Sequence, residues 1–170
     1  MSGKASKIKG SSGERELAKI FSGLFGGSFI RSPSSGAYVG GKNFVRKATL
    51  SEGQVRHAKG DLVPPDFMPK FVVESKNYDE FRFHQLLTPG SCLQLDEWIK
   101  QTLDCIDPGD IWFVCFKVSR IGWYVAVPDE NQGYTFSNYC LYNGNHGRFQ
   151  VTDLTDFFQK NRDLVLTLCK

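Results

Sequence analysis

The sequence predicts one α/β domain, a central mixed β-sheet flanked by helices, and three observations carry that expectation. Apolar residues recur at helical spacing in three stretches. Short runs rich in Val, Ile and aromatic residues lie between them. The length, 170 residues, suits a single hydrophobic core and would cramp two.

The elements follow in order. Residues 1–12 read as a flexible basic arm, with Lys4, Lys7 and Lys9 among Ser and Gly. Ser11 and Glu14 have the spacing of a capping box. A helix is expected after it, because Leu17, Ile20, Phe21 and Leu24 share a face, and Gly26-Gly27 ends it. A short strand is expected at 29–31. Residues 32–60 are poor in apolar residues and rich in Gly, Ser, Lys and Arg, and read as a basic flap. Two strands, 61–63 and 71–76, flank a turn at 64–69. Ser91 and Gln94 suggest a second capping box before a helix whose face carries Cys92, Leu95, Ile99, Thr102, Leu103 and Ile106. Strands are expected at 111–118 and 123–127, and another near 139–142. Leu154, Phe157, Phe158, Asn161, Val165 and Leu168 mark a closing helix. The domain proper is expected to span 13–170.

Composition excludes several classes. The hydrophobic fraction, 41%, is that of a globular chain. No run approaches the ~20 apolar residues of a membrane helix, and residues 1–10 lack the apolar segment of a secretory signal. Cys92, Cys105, Cys115, Cys140 and Cys169 are scattered and odd in number, as are His57, His84 and His146, so neither a disulfide framework nor a zinc site is expected. Reduced cysteines point to the cytoplasm. The net charge of +3 divides unevenly: residues 1–60 carry +8 and residues 61–170 carry −5. A basic first third suggests a polyanionic partner, with Arg31, Lys42, Arg46, Lys47 and Lys59 as candidate phosphate contacts.

The chemistry concentrates between Lys59 and Lys76. Glu74 and Lys76 are two apart on a strand, so they point to one face of an otherwise apolar segment, Phe71-Val72-Val73. A carboxylate and an ammonium so placed need a partner or a metal. Asp66 sits in the turn, whereas Asp61 lies a similar distance before the turn to that of Glu74 after it. A hairpin would bring Asp61 level with Glu74, and Asp66 is left the role of a turn residue.

The resulting Asp-x(12)-Glu-x-Lys pattern resembles the PD-(D/E)xK nuclease superfamily. The finer resemblance is to archaeal-type Holliday junction resolvases and their phage relatives. It rests on Gly13-Glu14-Arg15-Glu16-Leu17, Arg31-Ser32-Pro33-Ser34-Ser35-Gly36, Gly60-Asp61-Leu62-Val63 and Val73-Glu74-Ser75-Lys76, and covers residues 8–127. The resemblance implies a restriction-endonuclease-like core. It implies Asp61, Glu74 and the Ser75 carbonyl as metal ligands, Glu14 completing the site, and Lys76 as the catalytic lysine. It implies Arg15 as a phosphate contact and Ser34, Ser35 and Gly36 as a loop that meets DNA. The segment before Asp61 is longer than in the archaeal enzymes, and residues 128–170 have no counterpart there.

The expected function is therefore a Mg²⁺-dependent endonuclease, with Mn²⁺ as a substitute. It would resolve four-way DNA junctions by phosphodiester hydrolysis, acting on branched double-stranded DNA as a homodimer without a membrane. The alternatives are another nuclease of the superfamily (restriction, nicking or repair type), a non-catalytic DNA-binding module on this fold, and RNA as substrate.

Overall fold

The computed structural model describes residues 3–33, 59–130 and 132–170. Five strands form one mixed sheet: β3 (Phe71–Tyr78), β4 (Ile111–Val118), β5 (Gly122–Pro128), β6 (Cys140–Gly144) and β7 (Gly147–Asp153). Their order across the sheet is β3-β4-β5-β7-β6, with β3 parallel to β4 and every other pair antiparallel. Two short strands, β1 (Ile30–Arg31) and β2 (Leu62–Val63), pair antiparallel beside it.

Helices cover both faces. Helix α1 (Gly3–Phe25), helix α3 (Leu154–Lys160) and helix α4 (Arg162–Leu168) share one face. There Leu17, Phe21 and Phe25 meet Phe71, Val73, Phe113, Val125, Phe158 and Val165 in a core of edge-to-face aromatic rings. Helix α2 (Leu93–Leu103) and a 3-10 turn at Phe83–Leu87 cover the other face, burying Leu95, Trp98 and Ile99 against Val114, Phe116 and Tyr142. Both faces of β4 are thus buried, which explains its nearly unbroken apolar sequence, Ile111-Trp112-Phe113-Val114-Cys115-Phe116. The result is the expected α/β sandwich of a mixed sheet between helices, consistent with a restriction-endonuclease-like core.

Several details differ from the sequence-based expectation. Helix α1 begins at Gly3, so residues 3–12 are helical, and Ser11 and Glu14 lie inside the helix where no capping box can form. Helix α2 starts after Cys92 with no side-chain cap; the Ser91 hydroxyl donates instead to the carbonyls of Gln85 and Thr88. Strand β2 pairs with β1, so the segments around Asp61 and Glu74 are not a two-stranded ladder. The closing helix is broken at Asn161, whose amide donates to the carbonyls of Thr135 and Phe157.

Residues 128–170 extend the sheet. Strands β6 and β7 form a hairpin on β5, and Asp96 of α2 ties it down. The buried Asp96 carboxylate accepts from the Tyr142 hydroxyl at 2.9 Å, the Asn145 backbone N–H at 3.1 Å and the Asn145 side-chain amide at 2.7 Å. A buried charge is tolerated when it is this fully hydrogen-bonded.

Candidate active site

Strand β3 lies at one edge of the sheet, so its outer backbone groups need other partners. The Lys59–Asp61 segment supplies them. The Asp61 N–H donates to the Val73 carbonyl at 2.9 Å, and the Ser75 N–H donates to Asp61 Oδ2 at 2.7 Å. The two bonds bracket Glu74, so Asp61 is level with it as the spacing requires, although no ladder joins their strands. Gly60 makes the approach feasible. Its φ is +63°, and a Cβ there would stand 2.6 Å from the Val73 carbonyl oxygen.

Glu74 and Lys76 share the face of β3 that looks toward α2. The Lys76 ammonium donates to Glu74 Oε1 at 2.6 Å and to Gln101 Oε1 of α2 at 2.7 Å. Tyr78, two residues further on, packs its ring against Trp98 of α2. Asp61 and Glu74 are both buried.

From the other layer, α1 brings Glu14. Gly13 lets the helix lie close to β3, since a Cβ there would come within 3.0 Å of the Asn77 Cβ. The Glu14 carboxylate accepts from the Arg31 guanidinium. Six side chains thus meet where the two helical layers reach the sheet edge: Glu14, Arg31, Asp61, Glu74, Lys76 and Gln101.

The electrostatics are those of crowded acids. Burial pushes the Asp61 carboxyl up to about 8, and the neighbouring Glu74 and Glu14 charges add to the rise, against the Ser75 N–H and Lys76. Burial works against the Lys76 charge, yet the carboxylates of Glu74 and Asp61 hold the ammonium above the usual lysine value. Lys76 is therefore a cation at neutral pH and no proton acceptor. Among the described residues, no three His, Cys, Asp or Glu side chains are placed to hold a metal ion. The carboxylate pair is Asp61 and Glu74, while Glu14 faces Arg31.

The remaining candidates are placed as follows. Arg15 is exposed on α1. Lys59 donates to Asp107 at 2.8 Å and Asp110 at 2.7 Å, so its charge is matched within the chain. Asp66 is exposed in the turn between β2 and β3 and takes no part in the cluster. Ser75 lies between the two site residues of β3, with its hydroxyl buried and without a hydrogen-bond partner. Ser34, Ser35, Gly36, Lys42, Arg46 and Lys47 lie outside the described residues. Gln101 was not foreseen. It is 25 residues from Lys76, and no spacing rule connects them.

A family model described as "Phage putative PDDEXK endonuclease" matches residues 5–168. No curated protein and no solved structure matches the chain.

Proposed function

Since the chain belongs to the phage PDDEXK endonuclease family, we propose that Asp61, Glu74 and Lys76 are the cleavage centre of a metal-dependent DNA endonuclease selective for branched DNA, with the four-way junction as its substrate. The observation that carries the reading is the buried carboxylate pair with a protonated lysine beside it.

The donor set suits a divalent cation. Mg²⁺ is commonly held by one or two carboxylates, with water and substrate phosphate completing its shell. Asp61 and Glu74 would supply the carboxylates, and the Ser75 carbonyl is the further ligand that the resemblance implies. A cation between the acids would offset the repulsion that raises Asp61. When bound, such an ion supplies an activated water and charge neutralisation at the scissile phosphate. The chain's own residues do the rest. Asp61 is fixed by the Ser75 N–H, so its carboxylate is oriented before substrate arrives. Lys76 has three protons, of which Glu74 and Gln101 take two. The third is left for an oxygen of the scissile phosphate, where negative charge grows as water adds to phosphorus and one ester bond breaks. Arg31, bonded to Glu14, and the exposed Arg15 that follows Glu14 on α1 suit phosphate contacts.

Junction selectivity rests on the Gly13–Leu17 and Arg31–Gly36 resemblance, and a homodimer would present two such centres to a two-fold junction. The test is cleavage of a mobile-core four-way junction with Mg²⁺ beside linear duplex and single strand. Selective cutting of the junction is the expected result. Equal cutting of linear duplex would assign a different nuclease of the family. Binding without cutting would make the fold a DNA-binding module.

A further inference from the structure

We infer that Gln101 is a positioning residue for the cleavage reaction, holding the Lys76 ammonium where its free proton meets the scissile phosphate. The inference rests on the Asp61–Glu74–Lys76 reading and extends the centre to a second helical layer.

A lysine ammonium sits on a flexible four-carbon stem and donates in three directions. One acceptor leaves it free to swing about that contact, and two acceptors fix it. Glu74 Oε1 at 2.6 Å is the first and Gln101 Oε1 at 2.7 Å the second. Because an ammonium only donates, Gln101 must turn its oxygen toward Lys76. Its amide nitrogen then faces Glu97 Oε1 one helical turn back, a longer contact at 3.5 Å. What the contact requires of residue 101 is an acceptor oxygen at this reach, which an amide supplies and a carboxylate of the same length would also supply.

The mounting is firm. Helix α2 buries Leu95, Trp98 and Ile99, and Asp96 pins its opposite side to the β6–β7 hairpin through three hydrogen bonds. Gln101 itself is exposed and belongs to neither core. A contribution to packing therefore does not explain its contact with Lys76, and changing it leaves the core untouched.

The experiment is single-turnover cleavage at saturating protein with Mg²⁺, on a four-way junction and a linear duplex. It compares wild type, Lys76→Ala, Gln101→Met and Gln101→Glu, with DNA affinity and Tm measured alongside. Gln101→Met keeps the length of the side chain and removes the strong acceptor. It is expected to slow the cleavage step by about 10- to 100-fold, as a misplaced reacting group does, with affinity and Tm near wild type. Gln101→Glu keeps an acceptor for Lys76 and is expected to recover most of the rate. A wild-type rate for Gln101→Met overturns the inference. So does a matching loss of affinity, which would make Gln101 a DNA contact, or a Gln101→Glu variant as slow as Gln101→Met. If wild type cuts neither DNA and Lys76→Ala is indistinguishable from it, the cleavage reading fails, and this inference with it.

Discussion

At the scale of single residues, the centre is defined by what each group can hold or give. Asp61→Asn and Glu74→Gln each remove a carboxyl group that the proposed metal site needs as a ligand. Both are expected to abolish cleavage while DNA affinity stays within a few-fold of wild type, since neither residue is a cationic phosphate contact. Gel cleavage and fluorescence anisotropy on the same samples check this. Lys76→Ala is expected to lower the single-turnover rate far more than affinity, because its charge is used in the transition state. Asp66→Asn is expected to cut like wild type. Asp61 also carries a stability consequence with a definite sign. Its folded-state value, about 8, lies above that of an unfolded aspartate. Its contribution to stability is therefore complete below about pH 4 and is lost as pH rises through about 8. In EDTA, Asp61→Asn is expected to melt with wild type near pH 4 and at a higher temperature than wild type at pH 8 and above. A scan of Tm against pH for the two proteins decides it, and a variant less stable than wild type at pH 8 would show the acid to be unstrained.

At the scale of elements, the site depends on close approaches that small residues permit. Gly60 sits in the left-handed region against the Val73 carbonyl. Gly60→Ala is expected to cost about 1–2 kcal/mol from backbone strain alone, and to shift Asp61 away from Glu74. Urea unfolding and the cleavage rate would both fall, whereas Gly23→Ala, with open space around the Cβ and a helical backbone, is expected to be neutral or mildly stabilising. How far these elements were legible in the sequence depends on how local their causes are. Periodicity found the apolar half of α1, because Leu17 and Phe21 face the core. It missed the start at Gly3, because residues 3–12 have no apolar stripe to read. Alternation places Phe149 and Val151 inward on β7, but the Asn143-Gly144-Asn145-His146-Gly147 turn beside it masked the strand. Asp61 was legible through its distance from the turn, even though β1, not β3, pairs with β2. Gln101 was not legible, since its role arises from helix–sheet packing alone.

At the scale of the whole molecule, charge divides along the chain. The first 60 residues carry +8 and the remainder −5. Lys59 and Lys9 are paired with aspartates, so not every cation in this third is available to DNA. Lys42, Arg46 and Lys47, which lie outside the described residues, are proposed as phosphate contacts from their place in the basic 32–60 segment. Affinity is then expected to fall with salt at a log–log slope of about −0.9 per contact on duplex arms. Replacing all three with alanine is expected to make the slope shallower and to weaken junction and duplex binding alike. Titrations across a salt series check this. An unchanged slope would remove these residues from the interface, and a loss confined to junctions would make them readers of shape.

The end of the chain closes on the segment that introduces β3. The Lys70 N–H donates to the Cys169 carbonyl at 3.1 Å, and α4 packs Val165 and Cys169 into the same core as Phe71. The residues bearing Asp61, Glu74 and Lys76 are translated long before that contact can form. Pairing β3 with β4 across an intervening helix is itself a slow, non-local step. A chain without α4 would lose the Lys70 bond and the packing of Val165 and Cys169 beneath Phe71, at the start of β3. Docking of α4 thus acts as a clasp on the root of the strand that bears Glu74 and Lys76.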